Sequence, residues 1–127
     1  MTHHVLIVDL RDDAKAIDAY LAHHRRVWPE VLHSLQTVGI REMEIFILGR
    51  RLVMVVDTDG RDIRQCFAAH HEASSPRVVE WETMMRSLLL PPPGSRPGEW
   101  WTLMDPVFRF EAQEEDSSAT ARSAPRG

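Results

Sequence analysis

The sequence has 127 residues and a net charge of -4, and 43% of its residues are hydrophobic while 27% are charged. This length and composition predict a single globular domain, and the mildly acidic balance argues against a nucleic-acid-binding surface, which is normally basic. No apolar run approaches the roughly 20 residues that cross a bilayer, and the single cysteine, Cys66, excludes an intrachain disulfide and a cysteine-rich zinc site. The N-terminal residues lack the basic region and cleavage site of a signal peptide, so we expect a soluble, cytoplasmic protein.

The first predicted helix carries a histidine among its apolar residues. It follows a β-rich apolar run at residues 5–10, and one of the two aspartates at 12–13 is expected to cap it. At 100° per residue, His24 lies only about 20° from Ile17, in the middle of the apolar face, whereas His23 points away from that face. The residues spaced along this face are Ile17, Tyr20, Leu21, His24 and Trp28.

A second helix and a hairpin are predicted next. Pro29 ends or turns the first helix and suits the first position of another, which would continue to Gly39. Two β-rich runs, residues 41–48 and 52–57, are separated by a short turn that contains glycine, and this pattern predicts an antiparallel hairpin. The second run is apolar on both faces, so we expect it to be a central strand.

Two more helices are predicted in the second half of the chain. Thr58 or Asp59 is expected to cap the third helix, whose inner face would carry Cys66 and His70. A serine followed by Pro76 predicts the start of the fourth helix. The apolar residues on one side of this fourth helix are Val78, Trp81, Met85 and Leu88.

The last part of the chain changes in composition. Residues 91–98 are rich in proline and glycine and predict an extended connector, and residues 99–110 predict the last strand, with Pro106 placing its end at an edge or bulge. Beyond this point the hydrophobic residues disappear, so residues 1–110 are expected to form the single domain and residues 111–127 a flexible polar tail.

The predicted order of elements is strand, helices, strand, strand, helices, strand. This order predicts the α+β class with the split βαβ arrangement of ferredoxin-like proteins. In such a fold the helices cover one face of the sheet and leave the other face exposed. Because an exposed apolar face needs a cover, we expect a homodimer.

His24 is the best candidate for chemistry in the sequence. Tyr20 lies one turn before it and Trp28 one turn after it, so an ionisable imidazole is flanked by aromatic rings. Aromatic rings pack against the apolar faces of sugars, and an imidazole with a pKa near 6.5 exchanges protons with hydroxyl groups. The alternative is a buried neutral histidine that only holds a backbone carbonyl.

The other notable residues favour structural roles when they are judged by spacing alone. Trp81 belongs to a helical core stripe, the neighbouring Glu80 is typical of a solvated charge, and Cys66 has no basic neighbour that would activate its thiol. The adjacent histidines at 70–71 diverge by about 100° on a helix, so we expect no metal site there. No glycine-rich phosphate loop is present in the sequence.

These residues also carry a resemblance to a known family. Over about residues 4–110 the chain resembles the L-rhamnose mutarotase family, whose members are dimeric α+β barrels of ferredoxin-like subunits. The family interconverts the α and β anomers of deoxy-sugars without a metal or organic cofactor, so the resemblance implies neither is needed here. The stretches that carry it are Tyr20-x-x-x-His24-x-x-x-Trp28-Pro29-Glu30, the break at Gly39 with the hairpin after it, and residues 79–84 and 104–108.

The resemblance implies roles for particular residues. The catalytic histidine of the family falls on His24 and its first sugar-contacting tyrosine on Tyr20. Met43 stands where the family has a second tyrosine, and Glu80 and Trp81 stand where it has two tryptophans. The two replacements imply a changed sugar pocket. Residues 75–85 and the Pro-Gly-Glu-Trp stretch at residues 97–100 resemble the branch associated with L-fucose. As parts of the opening motif, the residues expected to support the site are Trp28 and Glu30.

The sequence therefore predicts a mutarotase that acts on L-fucose or L-rhamnose, with His24 donating and accepting the proton during ring opening. Two alternatives from other classes stay open at this point. One is a cofactor-free monooxygenase, because dimeric α+β barrels also host that activity. The other is a non-catalytic dimeric binding module in which His24 is only structural.

Overall fold

The computed structural model describes residues 2–72 and 75–113. They form one antiparallel sheet with four helices packed on one of its faces. The elements in chain order are β1 (Thr2–Leu10), α1 (Ala14–His24), α2 (Pro29–Thr37), β2 (Ile40–Leu48), β3 (Arg51–Thr58), α3 (Ile63–His71), α4 (Pro76–Arg86), β4 (Leu89–Leu90) and β5 (Thr102–Leu103).

The sheet has the order β2-β3-β1-β4, and β5 also pairs with β1. Neighbouring strands are antiparallel, and β3 lies between β2 and β1 as a central strand. This is the strand order of a split βαβ fold, so the predicted α+β, ferredoxin-like class and the predicted hairpin are confirmed. The extent of the domain, residues 1–110, stays a prediction.

The core lies between the sheet and the helices. Val8, Leu10 and Leu52 point from the central strands toward the helices and are almost fully buried. They pack against Tyr20 of α1 and Trp81 of α4, which are each 4% exposed. Because side chains alternate along a strand, the intervening residues face the opposite side of the sheet.

The end of the sheet differs from the prediction. Of the predicted last strand, residues 99–110, only Thr102 and Leu103 form β5, and most of the remaining residues are exposed. The two-residue strand β4 was not predicted, because so short a segment shows no period of its own. Residues 114–127 of the predicted tail lie outside the described residues.

The helix starts agree with the prediction at α1 and differ at α3. Asp13 caps α1 by accepting a hydrogen bond from the Lys15 backbone N–H at 3.0 Å. At α3 the cap is Asp62, whose carboxylate accepts from the Arg64 N–H at 2.8 Å, and neither Thr58 nor Asp59 serves. Thr58 instead donates its hydroxyl to the carbonyl of the loop before α3, which keeps it in the turn.

Gly39 joins α2 to β2 with a backbone conformation that is unfavourable for any residue with a side chain. Its φ is +108°, and a Cβ atom would lie 2.8 Å from the Asp59 carboxylate. We expect Gly39→Ala to lower the free energy of unfolding by about 2–3 kcal/mol, because the backbone is strained and the side chains of the turn must also move. Gly49→Ala is the matched control, since φ is +63° there and the space is open, and its expected cost is about 1 kcal/mol. Equal losses in urea denaturation of the two variants would contradict this account.

Candidate active site

A cavity of about 730 Å³ opens between the helices and the sheet. Its volume lies within the roughly 300–1,000 Å³ that is typical of small-molecule sites. Its wall comes from several elements, with aromatic and apolar side chains predominating and a few polar groups among them. The residues of this wall that matter below are Tyr20, His24, Met43, His70, His71, Trp81 and Glu82.

His24 is the last residue of α1, and its ring is half-buried in the cavity wall. Its Nδ1 lies 2.9 Å from the Tyr20 carbonyl oxygen. Since a carbonyl only accepts, Nδ1–H is the donor, and in the neutral ring Nε2 then carries a free lone pair. Burial lowers the pKa of His24, against the opposing effect of this hydrogen bond. The imidazole is thus neutral near pH 7 and able to accept a proton at Nε2.

Tyr20 lies under the ring of His24. The two rings stack with their centroids 4.1 Å apart, and Tyr20 is almost fully buried. Burial, together with the negative charge of Glu82, raises the pKa of the Tyr20 hydroxyl well above its usual value. Tyr20 therefore keeps its proton over the whole physiological range and serves as a hydrogen-bond donor rather than a base.

Trp81 continues the aromatic wall of the cavity, and Trp28 packs against it from behind. The Trp81 ring meets the His24 ring edge to face at 5.4 Å and the Trp28 ring at 5.2 Å. Trp28 itself lies behind Trp81, outside the cavity lining, and the Arg77 guanidinium lies 3.6 Å from its ring centroid. Trp28 thus packs against Trp81 from outside the cavity, and its supporting role in the site stays a prediction.

The structure brings together four of the seven predicted site residues. Tyr20, His24, Met43 and Trp81 all line the cavity. Glu30 is exposed on the first turn of α2, where it lines a separate shallow groove.

Glu80 is also outside the cavity, and this corrects the prediction that it contacts the substrate. Its side chain is 60% exposed and pairs with Arg77 at 3.3 Å. Adjacent residues diverge by about 100° around a helix, so Glu80 turns outward when Trp81 turns inward. Glu82 enters the cavity instead, because it follows the buried Val78 by four residues and shares its side of α4. The helical period of α4 contains this signal, since Glu82 lies four residues after Val78 and one residue after Trp81.

The prediction that His23 points away from the inner face is wrong in part. Its ring meets the Trp81 ring at 5.9 Å and is half-buried, although it does not line the cavity. His23 therefore packs on the outer edge of the aromatic wall.

A polar cluster occupies the other side of the cavity. His70 is 3% exposed, its Nε2–H donates to Glu82 Oε2 at 3.1 Å, and its Nδ1 lies 2.8 Å from the Ser34 hydroxyl. His71 Nε2 lies 2.9 Å from the other oxygen, Glu82 Oε1. Burial disfavours the charged form of Glu82, but hydrogen bonding to His70 and His71 outweighs it and lowers the pKa of Glu82 to about 2. Glu82 is therefore an ionised carboxylate with a fixed orientation.

Within residues 2–72 and 75–113, no group of three or more His, Cys, Asp or Glu side chains is arranged to hold a metal ion. Across the same part of the chain, no helix combines the length and the apolar character that a membrane span requires.

Comparison with known proteins identifies the family. The family model for L-rhamnose mutarotase matches residues 3–110. An L-fucose mutarotase from Xanthomonas campestris is 44% identical over 104 residues, which cover 80% of this chain and 82% of the relative. A UPF0734 protein from Dictyostelium discoideum is 34% identical over 108 residues, which cover 82% and 86%.

Solved structures agree with the fold. The crystal structure of an L-rhamnose mutarotase from Formosa agariphila is 22% identical and gives a TM-score of 0.61, covering 87% of this chain and 100% of the other. Tetracenomycin F2 cyclase from Streptomyces glaucescens is 15% identical with a TM-score of 0.55, covering 89% and 100%. At these identities the likeness supports the fold alone, whereas the match to the family model spans nearly the whole described chain. The chain therefore belongs to the L-rhamnose mutarotase family.

Proposed function

We propose that this protein is a carbohydrate isomerase that interconverts the α and β anomers of a 6-deoxy-L-hexose by opening and reclosing the sugar ring. The observation that carries the proposal is the position of His24, a neutral imidazole with a free Nε2 lone pair in the wall of a sugar-sized cavity. Membership of the family and the L-fucose mutarotase relative support the reaction. Neither a monooxygenase nor a non-catalytic binding module is favoured by these relatives.

The proposed mechanism moves one proton off the sugar and one onto it. His24 Nε2 accepts the proton of the anomeric hydroxyl, and the resulting imidazolium delivers this proton to the ring oxygen, so the bond from the anomeric carbon to the ring oxygen breaks and an open-chain aldehyde with a new hydroxyl group forms. Rotation of the aldehyde and reversal of these steps give the other anomer, with His24 returning the proton. General acid–base catalysis of this kind contributes about 100- to 10,000-fold. Tyr20, which stays protonated, is proposed to donate a hydrogen bond to a sugar oxygen.

The choice of sugar is proposed to depend on residues around His24. Trp81 offers its ring to the apolar face of the sugar, and Met43 lines the cavity where the family resemblance implies a tyrosine. The L-fucose mutarotase from Xanthomonas campestris is 44% identical to this chain. We therefore propose L-fucose as the first substrate to test and L-rhamnose as the second.

Anomer exchange across a small panel tests the substrate. Saturation-transfer NMR measures the exchange rate of L-fucose, L-rhamnose, D-galactose and D-arabinose with and without the protein. We expect the largest acceleration for L-fucose. An equal acceleration of all four sugars would contradict selection by the cavity wall, and a larger effect on L-rhamnose would reverse our assignment within the family.

We also propose a homodimer. Phe46 of the edge strand β2 is 53% exposed, and Val53 and Val55 beside it on β3 are only half-buried, all on the sheet face away from the helices. Three apolar residues after β5 are also exposed, namely Val107 at 97%, Phe108 at 81% and Phe110 at 75%. A second copy of the chain is the cover that a symmetric dimer would supply.

A cytoplasmic location remains a prediction from the sequence.

Sedimentation velocity tests the dimer. We expect twice the 14.6 kDa of the single chain for the wild type, and dissociation in Phe46→Glu, because the new charge would be buried without a partner in the interface. Val79→Glu is the matched control, since Val79 is 47% exposed on the helical side, and it should stay dimeric. A monomeric wild type, or dissociation of both variants alike, would contradict the proposed interface.

A further inference from the structure

The cavity holds an ionised group that the proposed mechanism does not use. Glu82 contributes a carboxylate to the wall, and its side chain is 24% exposed. A carboxylate offers roughly four lone-pair sites on its two oxygens. One site on each oxygen is taken by a histidine of α3, His70 on one oxygen and His71 on the other. Each oxygen therefore keeps acceptor capacity for a further hydrogen bond.

The histidines fix the carboxylate from the side of α3. His70 is held at both ring nitrogens, by the Ser34 hydroxyl of α2 and by the carboxylate itself. Ser34 of α2 therefore orients His70 of α3, and His70 orients the carboxylate of α4. This chain of hydrogen bonds fixes the direction and the rotation of the Glu82 side chain. Two imidazoles that are 3% and 45% exposed also compensate for the desolvation of the charge. Such an arrangement presents a rigid acceptor, and acceptors of this kind recognise hydroxyl groups with little cost in ordering.

We propose that Glu82, held by His70 and His71, is the group that recognises the sugar hydroxyls, by accepting hydrogen bonds from them on the side of the cavity formed by α3 and α4. This inference rests on the proposed function and extends it, since it assigns a specificity-determining residue to the same site. It also gives Glu82 the role that the sequence comparison placed on Glu80. His24 performs the proton transfer, and Glu82 sets which pattern of hydroxyls is held in front of it.

The substitution Glu82→Gln tests the assignment, because it removes the charge and keeps the size. A hydrogen bond to a charged group contributes enough that its loss should raise KM by about 10- to 100-fold. The turnover number should change by less than about threefold. The proton carrier is intact, and the lost hydrogen bond stabilises the bound sugar and the transition state equally. A carboxylate that only stabilised the packing would lower the melting temperature and leave KM unchanged.

Glu80→Gln is the matched comparison, with the same substitution two residues away on the same helix. Because Glu80 lies outside the cavity in an exposed pair with Arg77, we expect KM within about twofold of the wild type. An increase in KM for Glu80→Gln and none for Glu82→Gln would overturn the proposal in favour of the position from the sequence comparison. No increase in either variant would also overturn it.

Analogues of the substrate that each lack one further hydroxyl keep the proposal testable if Glu82→Gln does not fold. With the wild-type protein, removal of one sugar hydroxyl at a time should reveal at least one position whose loss raises KM by about 10-fold or more. Where Glu82→Gln does fold, the analogue that lacks this hydroxyl should show no further rise in KM in the variant. If every deoxy-sugar binds within about twofold of the parent sugar, no hydroxyl is bonded to an ionised acceptor and the inference fails.

The outcome for Glu82 is separable from the outcome for the reaction. If the wild-type protein accelerates no anomer exchange, the proposed function fails, and a ligand-observed NMR titration with the same sugars still compares the wild type with the two variants. If the wild type accelerates exchange and both variants have its KM, only the role of Glu82 fails.

Discussion

Replacement of His24 by glutamine is expected to reduce the catalysed rate of anomer exchange by about 100- to 10,000-fold, because the variant lacks the group that carries the proton. Glutamine can still donate from its amide to the Tyr20 carbonyl, which Nδ1 of His24 contacts at 2.9 Å. The fold and the sugar affinity should therefore change little. Saturation-transfer NMR gives the rate, and circular dichroism checks the fold.

The neighbouring substitution His23→Gln is the matched control for this experiment. His23 packs against the edge of Trp81 but lies outside the cavity lining, so its replacement should leave the rate within about threefold of the wild type. Loss of activity in both variants would indicate damage to the aromatic wall. Full activity in His24→Gln would remove His24 from the mechanism.

The pH dependence of the rate tests the protonation state in which His24 acts. Burial lowers the pKa of His24 below its usual value of 6.5, so the neutral form that accepts a proton persists to lower pH than in free histidine. The rate should rise with pH through a midpoint below 6.5 and then stay level across neutral pH. A rate that instead falls as the pH rises through this region would indicate that the protonated imidazole starts the reaction.

Replacement of Trp81 by alanine is expected to have the largest effect on stability, lowering the free energy of unfolding by about 3–5 kcal/mol. Trp81 is 4% exposed, and its ring contacts those of His24 and Trp28 at 5.4 and 5.2 Å. Its removal leaves a cavity in the middle of the core cluster and takes away the ring that packs against His24. Urea denaturation measures the loss, and the rate of anomer exchange should fall as well.

Two other substitutions separate the loss of stability from the loss of sugar binding. Trp81→Phe keeps an aromatic ring, so it should retain much of the stability while weakening sugar binding through the smaller stacking surface. Val79→Ala lies on the exposed side of the same helix and should cost less than about 0.5 kcal/mol. A loss below about 1 kcal/mol for Trp81→Ala would contradict the central position of this residue in the core.

The helical period predicted the side of the cavity that holds His24. Tyr20 and His24 share one face of α1 because they are four residues apart, and the structure stacks their rings at 4.1 Å. Trp81 was expected on an inner face of α4 and is buried there. The strand order also followed from the order of elements, because a split βαβ connection leaves few alternatives.

The parts that could not be predicted depend on contacts between distant segments. β4 and β5 are each two residues long and exist only because they pair with β1, a contact that no local pattern records. The Glu82 cluster joins α2, α3 and α4, so Ser34 and His70, 36 residues apart, meet only in the folded chain. Glu80 shows the converse, since family alignment suggested a sugar contact and the rotation of α4 turns its side chain to solvent.

Exchange between the two anomers of L-fucose, followed by saturation-transfer NMR at neutral pH, tests the central claim most directly. We predict that catalytic amounts of the wild-type protein transfer saturation between the α and β signals far faster than the uncatalysed reaction, and that His24→Gln at the same concentration does not. Exchange at the uncatalysed rate with the wild-type protein, for L-fucose and L-rhamnose alike, would contradict it.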